Sequence, residues 1–347
     1  MLDEVVERRR WITREHFLQL VGVTNLIPGP NSSEVAIHVG YTQRGWAGAL
    51  ATGLAFLLPT FFIVLGLSWL YFTYGAVPRV EGVLWGIKPA VLAVIVWAGV
   101  RLGRAAVSDG LTAALAAVGA AVAWGAGGWS VAAMVMGGGA TWARWRVRSG
   151  QSGSTGAPTL PMLALLPVLG APLGTLATVF LTHLWVGSVL FGGGYVLVAL
   201  LRPYAVEQYG WLTAAQFLDG VALTQAIPGP VSTLSAFVGF GAAGVPGAIL
   251  ATTGLYIPSF AAVLLLAPHM ARVREAAPIK AALDGVSAVV AGAIVGVAAG
   301  LVPAAIPDVV AALVFVAALV AVARFGVAAG WVVLGGVAAG VVRAVVL

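Results

Sequence analysis

The sequence predicts an all-α, polytopic membrane protein made of two homologous repeats that are inverted relative to each other, each with a helix broken at a PGP motif. Three observations lead to this fold class: an apolar composition, a series of long apolar runs, and an internal repeat. Of the 347 residues, 61% are hydrophobic and 9% are charged, whereas a soluble domain carries about 25% charged residues. The chain has too few polar side chains to cover a water-facing globule, so its solvent is predicted to be lipid.

The apolar runs follow one another along the whole chain, and most are long enough to cross a bilayer, which takes about 20 residues. They lie at 46–75, 84–104, 110–126, 129–147, 163–208, 245–270, 280–301, 306–324 and 328–346. The hydrophilic stretch ARWRVRSGQSGSTGAP, which ends at residue 158, has the Ser and Gly content of a flexible connector. We therefore predict a first repeat over 1–148, a cytoplasmic linker over 149–160 and a second repeat over 161–347.

The repeat is visible where 11–32, WITREHFLQLVGVTNLIPGPNS, aligns with 211–232, WLTAAQFLDGVALTQAIPGPVS. Eleven of these 22 positions are identical, including all of IPGP. The similarity continues with a shift of one residue, since PTF at 59–61 matches PSF at 258–260. A match that extends over both halves indicates an internal duplication.

Basic residues set the predicted topology, because short loops that carry them stay on the cytoplasmic side. Arg144, Arg146 and Arg148 place the linker in the cytoplasm, and counting spans backwards puts the segment near Arg44 inside. The N-terminal arginines also favour the inside. Counting forwards, the basic cluster around Arg272 should be inside. Both ends of the first PGP segment are then cytoplasmic, whereas the second PGP hairpin opens to the outside. The scheme has nine spans and two re-entrant hairpins. It leaves the basic Arg79 on the outside, which is an exception to this rule.

Each PGP motif is predicted to end one short helix and begin another, because proline removes a backbone donor and clashes with the preceding turn. In a bilayer such a break is tolerated only where it faces protein or a wet cavity. The restarting helices offer free N–H groups, short hydroxyls and the positive end of a helix dipole, a combination that binds oxyanions. A matched amide lies three residues before each motif's first proline. The predicted anion site therefore comprises Asn25, Gly29, Asn31, Ser32, Ser33, Gln225, Gly229, Ser232 and Thr233.

A third break is predicted at Phe191-Gly192-Gly193-Gly194, between helical stretches at 173–190 and 195–208. Three glycines allow a backbone to approach a ligand closely, so these glycines join the predicted site. Broken helices that meet near the midplane of inverted repeats are a recurrent transporter design. The plainer alternative is that PGP and GGG only make kinks or close helix packing. Two matched breaks, each followed by hydroxyl residues, favour a site.

Several ionisable residues in the apolar regions are candidates for a role in transport. Lys88 could balance a dianion, or it could extend to the interface as a snorkelling lysine. Glu34 lies one turn past the first break and His38 one further turn along, so they could exchange protons during transport. Alternatively, Glu34 is a first-turn carboxylate favoured by the helix dipole, and His38 a polar residue lining the hairpin. Asp219 and Asp284 would repel an anion unless they are protonated or paired.

Several stretches of the chain resemble the chromate ion transporter family. They are FGGG at 191–194, GLAFLLPTF at 53–61, GIKPAV at 86–91, WLTAAQFLDGVALTQAIPGPVSTLSAFVGF at 211–240 and RRWITREHFLQLVGVTNLIPGPNSSEVAIHVGY at 9–41. The resemblance implies a multi-pass carrier of the inner membrane that exports chromate, a tetrahedral dianion, from the cytoplasm. In the family each half begins with a helix and a glycine-rich break, whereas Met1 aligns with Leu201, past that element. A start codon assigned too late is the favoured explanation.

A secondary transporter is favoured over other classes of protein. A passive anion channel and a sulfate-type oxyanion carrier stay open as alternatives, because these anions share shape and charge with chromate. An intramembrane enzyme is disfavoured, since the sequence holds neither HExxH nor GxSxG and no cysteine. No catalytic residue, metal site or cofactor is predicted. The expected partners are the oxyanion and the lipid bilayer, with a homo-oligomer left open. Nucleic acid is not expected, because the basic residues behind the net charge of +6 lie at helix ends and short loops.

Overall fold

A computed structural model describes residues 1–24, 27–74, 78–125, 127–149, 174–227, 229–266 and 276–346. The regular structure of this described part is entirely helical, which confirms the all-α prediction. Its α-helices are α1 (Arg14–Thr24), α2 (Asn31–Tyr74), α3 (Pro78–Ala106), α4 (Gly110–Gly125), α5 (Ser130–Arg148), α6 (Thr175–Ser188), α7 (Gly194–Arg202), α8 (Ala214–Ala226), α9 (Leu234–Leu266), α10 (Ala277–Ala305), α11 (Val309–Phe325) and α12 (Ala329–Val346). Short π-helices occur at Asp3–Arg8 and Pro203–Gln208, and 3₁₀-helices at Gly127–Trp129 and Val231–Thr233.

Several of these helices are apolar enough to lie in a membrane. Those long enough to cross one are Asn31–Tyr74, Leu84–Ala106, Val231–Leu265 and Ala277–Ala305. Shorter apolar helices are Gly110–Gly125, Thr175–Ser188, Val309–Phe325 and Ala329–Arg343. The chain is therefore a polytopic membrane protein, as predicted. Residues 150–160 of the predicted linker, and the basic cluster around Arg272, lie outside the described residues.

Local backbone features recur at positions that the sequence alignment pairs. The π-helix that precedes each aligned PGP segment is followed by a residue in the left-handed region, Arg10 with φ 51° and Gly210 with φ 60°. Each long helix is kinked at a matched glycine, Gly45 (φ 56°, ψ −140°) in α2 and Gly244 (φ 61°, ψ −149°) in α9. Glycine occupies both kinks because a Cβ atom is excluded from this backbone conformation. The duplication therefore extends to backbone shape, while the inverted orientation of the halves stays a prediction.

Close packing of small residues holds the helices of the two halves together. Helix α10 packs against α3, α4 and α5, and α3 packs against α12. Gly119 of α4 and Gly292 of α10 lie where a Cβ atom would run into the backbone of the facing helix. Gly86 of α3 and Gly336 of α12 approach each other in the same way. Small residues that allow backbones to come close are typical of helix association in lipid.

The long helices α2 and α9 pack against each other, and α6 packs along α9. Each long helix begins at or just after a PGP break. Each also carries the matched PTF or PSF motif further along its length. The contact between α2 and α9 therefore brings the break of one repeat next to the motif of the other.

Candidate functional site

The three helix breaks predicted from the sequence meet at one place. The Gly29 N–H donates a hydrogen bond of 2.6 Å to the Leu190 carbonyl, which joins the first PGP break to the FGGG break. A Cβ atom on Gly194 would lie only 2.9 Å from the Cβ of Val231, which joins the FGGG break to the helix start after the second PGP motif. Together these contacts gather backbone from both repeats at one place.

Glycine is required in the FGGG break by the shape of the backbone. Gly192 and Gly193 have φ angles of 99° and 107°, in the left-handed region that L side chains rarely adopt. Gly193 also stands at the N-cap of α7, where the chain turns after leaving α6. Gly29, in the first PGP break, has φ 143° and shares this constraint. The breaks therefore lie where the sequence pattern predicted them, although that prediction rested on proline and on close approach to a ligand rather than on left-handed backbone.

The glycine of each PGP motif lies against a hydroxyl group of the other repeat. A Cβ atom on Gly229 would lie 2.5 Å from Thr60 Oγ1, in the PTF motif. A Cβ atom on Gly29 would overlap the hydroxyl of Ser259, in the PSF motif, and the carboxyl of Glu34. Each PGP break thus lies against the PTF or PSF motif of the other repeat. The alignment revealed both motifs, but it did not indicate that their hydroxyls belong to the site.

One tyrosine hydroxyl connects the two restarting helices. Tyr256 Oη lies 2.5 Å from Ser232 Oγ, after the second break, and 3.4 Å from Ser33 Oγ, after the first break. The Tyr256 side chain is buried, with 3% of its residue surface exposed. Sequence comparison of the halves misses this residue because its counterpart, Leu57, is apolar. Tyr256 is therefore the residue at which the two helix starts converge.

A buried carboxyl group lies beside this hydroxyl cluster. Glu34 is fully buried, and neither of its carboxyl oxygens has a hydrogen-bond partner among the described residues. The buried Ser259 hydroxyl also has no hydrogen-bond partner among the described residues. Glu34 is close enough to Tyr256 for the two groups to interact electrostatically. A charged carboxylate without a partner is costly in such surroundings, so the charge of Glu34 must be compensated or removed. His38 is also buried, further along α2, with its ring 6.3 Å from that of Tyr41.

Of the two amides in the predicted site, Gln225 belongs to the described residues. Gln225 is buried near the end of α8, and its Oε1 atom accepts a 3.0 Å hydrogen bond from the Tyr195 hydroxyl. Tyr195 directly follows the FGGG glycines, so this bond ties α8 to α7. Asn25, the counterpart of Gln225, lies outside the described residues.

The remaining predicted residues after the breaks differ in their surroundings. Ser33 is buried next to Tyr256, whereas Ser32 is exposed, although Ser32 is the residue that aligns with Ser232. Thr233 is buried, and its hydroxyl donates to the Pro230 carbonyl at 2.9 Å. Asn31 is half-buried at the first position of α2.

Lys88 lies apart from the breaks, in an ion pair. Its Nζ atom is 3.6 Å from Asp219 Oδ2. Asp219 was expected to repel an anion unless it is protonated or paired, and in the structure it is paired. Lys88 is therefore placed within the protein and against a carboxylate, which differs from the snorkelling alternative.

Comparison with known proteins assigns the family. The sequence profile described as "Chromate transporter" matches residues 1–143 and 177–341, which together make up most of the chain. The chain belongs to the chromate transporter family. The two matched segments of this family are separated here by residues 144–176, which include the predicted linker.

Named relatives in the chromate transporter family are similar over most of their length. A "Chromate transport protein" of Pseudomonas aeruginosa is 34% identical over 304 residues, covering 84% of this chain and 72% of the relative. A "Chromate transport protein" of Cupriavidus metallidurans is 29% identical over 327 residues, covering 90% and 79%. A "Probable chromate transport protein" of Synechococcus elongatus is 29% identical over 304 residues, covering 85% and 77%. No solved structure matches. The chain is thus a membrane transport protein rather than an enzyme.

Proposed function

We propose that this chain exports chromate, or an oxyanion of the same shape and charge, from the cytoplasm across the inner membrane as a secondary carrier. The observation that supports the proposal is the Tyr256 hydroxyl, which lies within hydrogen-bond distance of the serines that follow both PGP breaks. The names of the relatives, which are chromate transport proteins, supply the substrate.

Hydroxyls from both repeats would bind the anion. A tetrahedral dianion presents oxygens in four directions, and Ser33, Ser232 and Tyr256 can each donate to one of them. In the structure Tyr256 and Ser232 bond to each other. Thr60 and Ser259 add a hydroxyl on either side. Because the donors come from both repeats, a movement of one repeat against the other would change access to the anion.

Glu34 would couple the anion to proton movement. Its carboxyl group lies beside Gly29 and near Tyr256, so an ionised Glu34 would repel an anion bound there. Binding of a proton to Glu34 and binding of the anion therefore favour each other, so the two would cross together. A dianion with one proton keeps a net negative charge, which a membrane potential that is negative inside drives outward. His38, on the same buried side of α2, is the candidate for passing the proton on.

Transport into inside-out membrane vesicles tests the proposal. We expect labelled chromate to accumulate with saturable kinetics, whereas flux that never saturates would indicate a channel. A hydrogen bond to a charged group contributes about 1.5–3 kcal/mol. We therefore expect Tyr256→Phe, and the double variant Ser33→Ala with Ser232→Ala, to raise KM by about 10- to 100-fold.

The matched control is Ser68→Ala. Ser68 is also a buried serine of α2, but its hydroxyl donates to the Val64 carbonyl of its own helix at 2.7 Å. Its replacement should leave KM for chromate within about twofold, since no proposed anion donor is lost. Unchanged chromate transport by Tyr256→Phe would refute the proposed anion site. Absence of transport of any tetrahedral oxyanion by the native chain would refute the proposed function.

A further inference from the structure

A buried charge cluster lies away from the breaks, where three helices meet. Lys88 of α3 and Asp219 of α8 form the ion pair, with 18% and 3% of their side-chain surfaces exposed. The Tyr71 hydroxyl of α2 donates to the same Asp219 oxygen at 2.8 Å. Charges in a membrane interior are costly unless they are compensated, and they are found where they serve a function. The coupling function assigned to Glu34 makes no use of this cluster.

The cluster is absent from the duplicated pattern. The positions that align with Asp219, Lys88 and Tyr71 in the other repeat hold Gln19, Ser287 and Met270. A pair needed to hold the repeat fold together would be expected in both halves, because their helices follow the same plan. The charges therefore serve one side of the molecule only.

The helix ends place the cluster on one side of the break site. Asp219 precedes the start of the second break at Ile227 by two turns of α8, or about 12 Å. Tyr71 is close to the C-terminal end of α2, and Lys88 is in the first half of α3. In the predicted topology these helix ends face outside. The cluster then lies between the break site and the outer surface, where an exported anion leaves.

We propose, on the basis of the carrier function above, that Asp219 is the resident counter-ion of Lys88, which a doubly charged anion replaces on its way out. A singly charged anion brings to Lys88 only the charge of the carboxylate that it displaces. A dianion brings twice that charge, and Coulomb attraction scales with it. A dianion can therefore displace Asp219 from Lys88, while the nearby carboxylate keeps its binding weak enough for release on the outer side.

Tyr71 is the positioning residue of this device. Its hydroxyl donates to the Asp219 oxygen that also faces Lys88, and so it holds the carboxylate in place. Removing the hydroxyl leaves both charges present but weakens the hold on Asp219. The Tyr71→Phe variant should therefore favour binding of the dianion in the same direction as loss of the carboxylate, by a smaller factor.

Perrhenate and chromate provide the decisive comparison, because both are tetrahedral oxyanions and they differ in charge. Purified full-length protein in liposomes would take up labelled chromate at mildly alkaline pH, where chromate is doubly charged, with perrhenate as competitor. The quantity measured is the ratio of the perrhenate inhibition constant to the chromate KM. In Asp219→Asn we expect this ratio to rise by about tenfold, since removal of a nearby negative charge favours a dianion more than a monoanion. In Tyr71→Phe we expect a rise of about threefold.

The matched control is Asp308→Asn, which makes the same substitution in another ion pair. Asp308 lies 3.0 Å from Arg343 and caps α11 through a 2.8 Å bond from the Ala311 N–H, a bond that asparagine can also accept. Its ratio should stay at the native value. A native ratio in Asp219→Asn would overturn the proposal while leaving the carrier function intact. If Asp219→Asn does not fold, Tyr71→Phe decides in the same way. A native chain that neither transports nor binds these anions would refute the carrier function itself.

Discussion

Replacing Gly229 with alanine tests whether the PGP break of the second repeat packs against the PTF motif of the first. The added Cβ atom would lie 2.5 Å from Thr60 Oγ1, 2.6 Å from Cγ2 and 3.1 Å from Cβ. Ordinary contacts of this kind are about 3.5–4 Å, so the overlap is on the order of 1 Å. Overpacking of this size costs about 1–3 kcal/mol, which is the expected loss in the free energy of unfolding.

Thr60→Ala should relieve most of that cost, because it removes the two closest atoms and leaves only the 3.1 Å approach. The assay is a double-mutant cycle, with chemical unfolding of the purified protein in detergent for both single variants and the double variant. Gly22→Ala is the control, since Gly22 of α1 has open space where its Cβ would be. It should be neutral or stabilising by up to about 1 kcal/mol. If Gly229→Ala costs the same with and without Thr60, within about 0.5 kcal/mol, the cross-repeat contact is absent.

Two further predictions concern carboxyl groups. Glu34→Gln should keep saturable chromate transport but lose its response to an imposed pH gradient, measured as vesicle uptake with and without an ionophore; a retained response would exclude Glu34 as the coupling group. The backbone N–H of Thr112, together with Arg144 at 2.6 Å, lowers the pKa of Asp109 from its ordinary value of 3.8 to about 2. Its stabilising contribution is therefore present above about pH 3.8 and is lost as the pH falls towards 2. The melting temperatures of native protein and Asp109→Asn should differ at neutral pH and converge over this interval, and a difference that does not change with pH would contradict the argument.

The helix breaks were predictable because proline and glycine act locally. The PGP prolines remove backbone donors, and the FGGG glycines occupy conformations closed to other residues, whatever surrounds them. The sequence therefore located all three breaks without knowledge of the packing. The matched kinks at Gly45 and Gly244 carry the same local signal in the structure, but no sequence prediction was made from them.

The side chains that complete the site depend on packing between distant helices. Alignment paired Ser32 with Ser232, yet Ser33 is the residue that is buried beside Tyr256. The counterpart of Tyr256 in the other repeat, Leu57, is apolar, so comparison of the halves does not single out Tyr256. The partner of Lys88 lies 131 positions away in the sequence, on another helix. The cost of a buried charge predicts that Asp219 has a partner, but only the packing identifies it.

The two repeats are homologous, but the residues where their helix breaks meet differ from their counterparts. Tyr256 aligns with an apolar residue of the other repeat, Leu57, and Glu34 has no carboxyl counterpart there. Perfectly equal halves, inverted as proposed, would let an unloaded protein rest equally often open to either compartment. Unequal central residues remove that degeneracy, so we expect a carrier of the proposed kind to favour one orientation when no anion is bound. Its KM values measured from the two sides should then differ, while the ratio of maximal rate to KM stays equal in the two directions without a gradient.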